Sequence, residues 1–157
     1  MCGRFALSCE PEALRQTFGY EERPNFPPRY NIAPTQPIAI VTGGRDTTGE
    51  FRRHFQLVRW GFLPGFVKDT QNFPLLINAR AETLVEKPAY REAFRKRRCL
   101  VLADGFYEWQ KVGKDKTPIR FTLQSGEPFA FAGLWDGWKD PQDPDGPWIN
   151  TFTIITG

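Results

Sequence analysis

A chain of 157 residues fits one domain and can bury a real hydrophobic core without disulfides or a structural metal. With 40% hydrophobic, 25% charged and 15% aromatic residues, it has the make-up of a folded globular protein and not of a disordered one. The formal charge of +3 is too small to argue for nucleic-acid binding by itself, although it permits a polyanionic partner.

No apolar run reaches the roughly 20 residues that span a bilayer, and no apolar signal core follows Met-Cys-Gly-Arg-Phe at the start. The expectation is a cytoplasmic, nucleoid-associated monomer with no membrane partner. The cysteines at positions 2, 9 and 99 are odd in number and lack CxxC spacing, which suits reduced thiols. His54 is the single histidine, so no zinc site is expected.

In chain order, the first element is a short amphipathic helix between Ser8 or Cys9 and Gly19, with Leu14 and Phe18 four apart, Pro11 near its start and Gly19 past its end. Strands are expected over Pro37 to Thr42 and Phe55 to Trp60, and again where Asn78, Arg80 and Glu82 alternate after an apolar run. A second helix runs from Pro88 to about Lys96, presenting Tyr90 and Phe94 on one face; the cations Arg95 to Arg98 complement the negative end of its dipole. Five further strands follow: Arg98 to Ala103, Phe106 to Gln110, Ile119 to Leu123, Phe129 to Leu134 and Trp148 to Thr156. The fold class expected is α+β, a twisted, mainly antiparallel sheet curled toward a barrel with a few short helices. With no repeat or linker in the sequence, it is one domain over residues 1–157.

Cys2 directly follows the initiator Met and is small enough for Met1 to be removed, which would leave an α-amine and a thiol on adjacent carbons. The amine has a reference pKa of about 8, so about a tenth of it is free at neutral pH and able to attack an aldehyde. The thiol would then close a five-membered thiazolidine. From position alone, a small residue in a first strand beneath Phe5 is the blander reading.

Asn78 could hydrogen-bond a reacting oxygen and Arg80 could hold a phosphate; a solvated face on which Arg80 pairs with Glu82 is as good a reading on composition. Glu108 lies among aromatic residues in Asp104-Gly105-Phe106-Tyr107-Glu108-Trp109, a setting that suits a carboxyl to giving and taking protons near neutrality; the alternative is an exposed residue cross-paired to Lys111 or Lys114. Arg29-Tyr30-Asn31-Ile32-Ala33-Pro34 and Trp60-Gly61-Phe62-Leu63-Pro64-Gly65 hold materials for stacking bases and gripping phosphates, though Tyr30 and Trp60 serve equally as core.

Six motifs, Met-Cys-Gly-Arg-Phe, Arg-Tyr-Asn-Ile-Ala-Pro, Trp-Gly-Phe-Leu-Pro, Ile-Asn-Ala-Arg-Ala-Glu-Thr, Lys-Pro-Ala-Tyr-Arg and Ala-Asp-Gly-Phe-Tyr-Glu-Trp, occur in this order, and together they resemble the SRAP family (SOS response-associated peptidase). The resemblance covers essentially the whole chain. It implies a shield protein that crosslinks to abasic sites in single-stranded DNA, with Cys2 as nucleophile, Asn78 as positioning group and Glu108 as proton shuttle. Arg4, Asn31, Trp60 and Arg80 would line the DNA groove. It also implies the α+β fold expected above, and no metal or organic cofactor. The family's catalytic His lies in an Ile-His-Asp-Arg-Met-Pro type motif that would follow Phe152 to Gly157, so the resemblance implies a C-terminal part not contained in this sequence; His54 does not match that His.

Two other readings compete with covalent capture. One is an N-terminal-nucleophile hydrolase or autopeptidase, in which the Cys2 thiolate attacks an amide with its own α-amine as base. The other is a non-catalytic single-strand binder using Arg4, Arg29, Arg80 and Trp60, with affinity falling steeply as salt rises.

Overall fold

The computed structural model describes residues 2–157. The expected removal of Met1 therefore lies outside the described residues. The elements are β1 (Phe5–Leu7), α1 (Pro11–Phe18), β2 (Arg29–Ile32), β3 (Pro37–Arg45), β4 (Phe51–Trp60), β5 (Asn78–Arg80), α2 (Pro88–Lys96), β6 (Arg98–Ala103), β7 (Gly105–Val112), β8 (Asp115–Phe121), β9 (Phe129–Trp138) and β10 (Ile149–Thr156). A short 3-10 turn, Ala81–Thr83, follows β5.

Two sheets result. One runs β4-β3-β6-β9-β10 and closes on itself through a β4–β10 pairing, with β5 attached outside β10; the other runs β2-β1-β7-β8. The fold is thus α+β, with the curled sheet expected from the sequence closed into a five-stranded barrel. The closure is parallel, Thr151 opposite Arg59 and Phe152 opposite Trp60, and β5 also pairs parallel with β10. The barrel is therefore mixed, whereas the second sheet is antiparallel throughout.

Alternation puts one side of each barrel strand inward. Ile38, Ile40, Val58, Trp60, Val101, Ala103, Phe152 and Ile154 are all buried in one cluster. Phe5 joins them from β1, its ring 5.2 Å from Trp60 and 5.6 Å from Phe131. That contact seats the four-stranded sheet on the barrel and places the N-terminal segment at the junction. On the outer side, α2 covers Leu134 with Tyr90 and Ala93. Helix α1 stops where Gly19 takes a left-handed conformation, φ 69°, and its N–H donates to the Arg15 carbonyl at 2.7 Å.

Gly133 marks a point where the wall is closely packed on three sides. A Cβ there would lie 3.0 Å from Cys99 Sγ, Val101 Cγ2 and the Thr153 carbonyl oxygen. Because one of these is backbone, Gly133→Ala is expected to cost about 1–3 kcal/mol by overpacking. Urea unfolding checks this; an unchanged midpoint would show that the wall yields freely.

Candidate active site and nucleic-acid surface

Cys2 is buried, 6% exposed, at the junction of the two sheets. Three features meet there. The Asn78 side-chain amide donates to the Cys2 carbonyl at 3.1 Å. The Cys2 thiol donates to the Arg4 carbonyl at 3.7 Å. The charge of Glu108, from β7, acts on the same thiol. Residues 76 and 106 positions apart in sequence from Cys2 are thus gathered around it because β5 lies against β10 and β1 lies against β7.

Burial is the main reason the Cys2 thiol is pushed up to about 11; a backbone hydrogen bond with Arg4 opposes the rise and the negative charge of Glu108 adds to it. At neutral pH the group is therefore a thiol. An α-ammonium created on the same residue would pull this value back down.

Burial also raises Cys9 to about 11, Cys99 to about 12 and Tyr20 to about 12, against ordinary values of 9.0 for the thiols and 10.0 for the phenol. Above about pH 9 the unfolded chain therefore sheds protons that the folded chain retains, and stability must fall as pH rises toward 11. The melting temperature is expected to be level up to about pH 8.5 and to drop steeply beyond pH 9. A melting temperature unchanged at about pH 10.5 would mean that these groups ionise without opening the structure.

The expected DNA-lining residues divide. Arg4 and Asn31 are brought together, the Arg4 guanidinium donating to the Asn31 side-chain oxygen at 3.1 Å. With Tyr30, Tyr107, Trp109 and Pro118 they line an open cleft of about 200 Å³ on the outer face of the second sheet. Arg80 is exposed at the end of β5, 3.6 Å from Glu82, the pairing named above as the alternative for it. It follows Asn78 by two residues on the same strand.

Trp60 does not belong to the surface. It is fully buried, stacked at 6.2 Å on Phe152 and donating its indole N–H to the Ile77 carbonyl at 3.0 Å. Its place in a DNA groove is corrected: an apolar ring at the inward position of a barrel strand gains more from burial than it could offer as an exposed base platform. Its contribution is to hold the residue just before Asn78.

Sequence reasoning also passed over Tyr107 and Trp109 as surface groups, treating them as the setting of Glu108. The register shows why they differ from it. Tyr107 lies opposite Arg120, Trp109 opposite Pro118 and Lys111 opposite Lys116, so these six side chains share one face of the β7–β8 ribbon, while Glu108 points to the other. The period-two pattern over Phe106 to Lys111, with Lys and Arg at matching positions on β8, was the available signal. Trp109 is 56% exposed and Tyr30 59%, rings that soluble proteins usually cover. The Tyr107 hydroxyl donates to the Tyr30 carbonyl at 2.7 Å and fixes the cleft between the two strands.

His54 is remote from these groups in the contacts it makes: its Nδ1 lies 2.8 Å from Glu22 Oε2. Among the described residues no cluster of His, Cys, Asp and Glu could hold a metal ion, and no helix is long and apolar enough to cross a membrane.

Comparison with known proteins places this arrangement. The family described as SOS response associated peptidase (SRAP) matches residues 1–157. The abasic site processing protein YoqW of Bacillus subtilis is 39% identical over 162 residues, covering 99% of this chain and 68% of that protein. The abasic site processing protein YedK of Escherichia coli is 31% identical over 142 residues, covering 85% of this chain and 59% of that protein. A crystal structure of a protein from Bacteroides thetaiotaomicron superposes with a TM-score of 0.79 at 25% identity, covering 98% of this chain and 67% of the other. Another, from Bordetella bronchiseptica, gives 0.76 at 26% identity. A match along its entire length makes this chain a member of the SRAP family.

Proposed function

We propose that this chain is an abasic-site shield: it binds single-stranded DNA and, once Met1 is removed, captures the lesion covalently through the amine and thiol of Cys2. The observation that carries the reading is the convergence on Cys2 of an amide holding its carbonyl, from Asn78, and a carboxylate acting on its thiol, from Glu108. Similarity to proteins named for abasic site processing supports the substrate.

The chemistry balances without a cofactor. The α-amine of Cys2 adds to the open-chain aldehyde of the lesion, and the carbinolamine loses one water to give an imine. Sγ then bonds to the former carbonyl carbon, the π pair of the C=N bond moves to nitrogen, and the thiol proton ends there. The product is a thiazolidine. Glu108 accepts a proton as the amine attacks and returns it to the departing hydroxyl. Asn78 keeps the Cys2 backbone, and with it the amine, at a fixed angle.

The alternative reading, attack on an amide by the Cys2 thiolate, predicts cleavage of a peptide or small amide without DNA, which covalent capture does not. Arg4, Asn31 and Arg80 would position the strand by its phosphates and sugars, and Trp109 and Tyr30 would stack bases in the place assigned above to Trp60.

The test mixes the chain, checked by mass for loss of Met1, with a single-stranded oligonucleotide bearing one abasic site, and runs the denatured mixture beside an undamaged strand. A slow band seen only with the abasic strand is expected. Binding to both strands that disappears on denaturation would identify a non-covalent binder instead.

A further inference from the structure

A single carboxylate ties together the strands that carry Cys2 and Glu108. Asp104 stands at the corner between β6 and β7, 6% exposed. Its Oδ2 accepts hydrogen bonds from the Ser8 N–H at 2.7 Å, the Ser8 hydroxyl at 3.0 Å and the Cys9 N–H at 2.8 Å. Its own N–H donates to the Ala6 carbonyl at 2.9 Å. Oδ1 is buried with no hydrogen bond, and Arg120 Nη2 lies 3.8 Å away.

The strand so held has few backbone pairings to set its register, besides the buried Phe5 ring, the Tyr107 N–H on the Arg4 carbonyl and the Asn78 amide on the Cys2 carbonyl. β1 spans three residues, its pairing with β7 consists of Phe5 opposite Phe106 and Ala6 opposite Gly105, and its pairing with β2 is irregular between Phe5 and Leu7. A slip of two residues would keep the same faces inward and yet carry Cys2 about 7 Å along β7, away from Glu108. Cys2 precedes Ser8 by six residues and Glu108 follows Asp104 by four, so a pin at Ser8 and Asp104 sets how the two reacting groups face each other. A charged acceptor shared by three donors is a strong restraint on this segment.

We propose that Asp104 is a positioning residue for the crosslinking site, fixing β1 against β7 so that Cys2 is presented to Glu108. The role in crosslinking rests on the covalent-capture reading given above. The acid is required in place of its amide. Asparagine would keep one accepting oxygen but would bury an NH₂ group where Oδ1 meets no hydrogen-bonding group and faces a guanidinium.

The experiment uses the whole chain with Asp104→Asn and, separately, Ser8→Ala, which removes one donor and leaves the carboxylate. Single-turnover crosslinking is followed against oligonucleotide concentration, and amide exchange is followed at Tyr107, whose N–H donates to the Arg4 carbonyl at 3.0 Å. For Asp104→Asn the maximal rate is expected to fall about tenfold with the half-saturating concentration changed by less than about twofold, because orientation and not DNA contact is lost. Exchange at Tyr107 should speed up by about tenfold while barrel amides such as that of Val101 keep their protection. Ser8→Ala should show the same pattern at about two- to fourfold.

A folded Asp104→Asn protein with wild-type maximal rate and wild-type Tyr107 exchange would overturn the proposal, as would losses matching only the unfolded fraction. If Asp104→Asn does not fold, Ser8→Ala decides by the same two readouts. If the wild-type chain with Cys2 exposed forms no adduct, the capture reading fails and takes the crosslinking role with it. Tyr107 exchange then still reports whether Asp104 pins the strand, and an unchanged value would overturn that as well.

Discussion

Cys2→Ser is expected to remove the heat-stable adduct with abasic DNA, lowering its yield by about a hundredfold or more. The change preserves a small second residue, so Met1 can still be removed, and it preserves the α-amine. What it removes is the sulfur that closes the ring: a neutral hydroxyl is a far poorer nucleophile than a thiol and leaves the imine open to hydrolysis. The imine itself should still form, and borohydride added during the reaction should trap it as a secondary amine. Comparison with and without reductant therefore separates the two nucleophiles of one residue. Because Cys2 is buried among apolar side chains, the melting temperature of the variant must be measured alongside. A Cys2→Ser adduct that survives heating without reductant would sink the thiazolidine reading.

Trp60 carries the second large effect, on stability. Trp60→Ala empties an inward site between Phe5 and Phe152 and is expected to cost about 3–5 kcal/mol, a loss that a domain of this size tolerates poorly. Trp60→Phe keeps most of the ring. It forfeits the indole hydrogen bond, but the Ile77 carbonyl still accepts from the Ile154 N–H at 3.1 Å, so the expected cost is about 1–2 kcal/mol. Affinity of Trp60→Phe for single-stranded DNA should stay within about twofold of wild type, whereas Trp109→Ala should lose about 1–3 kcal/mol of binding as a stacking platform is removed. The pair is measured by fluorescence anisotropy at one salt concentration, since phosphate contacts make any affinity salt-dependent. A folded Trp60→Phe protein that binds tenfold more weakly would return Trp60 to the DNA surface.

Much of the fold was legible in the chain. The helices were recognisable because Pro11 and Pro88 open them and because Leu14 and Tyr90 fall on buried faces. The long barrel strands were legible because β-branched and aromatic residues alternate between turn residues. Their ends were less so: β3 and β4 run on to Arg45 and back from Phe51 as a polar hairpin whose pairing depends on Gly43 lying bare beneath the Phe51 ring. The short strands β1 and β2 have too few residues for a period to show.

For the site, the sequence by itself determined the chemical inventory: the thiol of Cys2, the amide of Asn78, the carboxyl of Glu108, and cations interleaved with aromatic rings. Motif order named the family, because six short strings in fixed succession constrain identity in a way that no single string does. What only the tertiary structure decided is which of these side chains meet and which are hidden. The parallel closure of β10 on β4 and the seating of β1 beside β7 join positions a hundred residues apart, and no local pattern encodes such pairings. Trp60 and Trp109 are the same residue type in similar aromatic strings, yet one lies inside the barrel and the other outside the ribbon. Their roles differ because burial depends on the phase of each strand relative to a core that exists only once the sheets have closed.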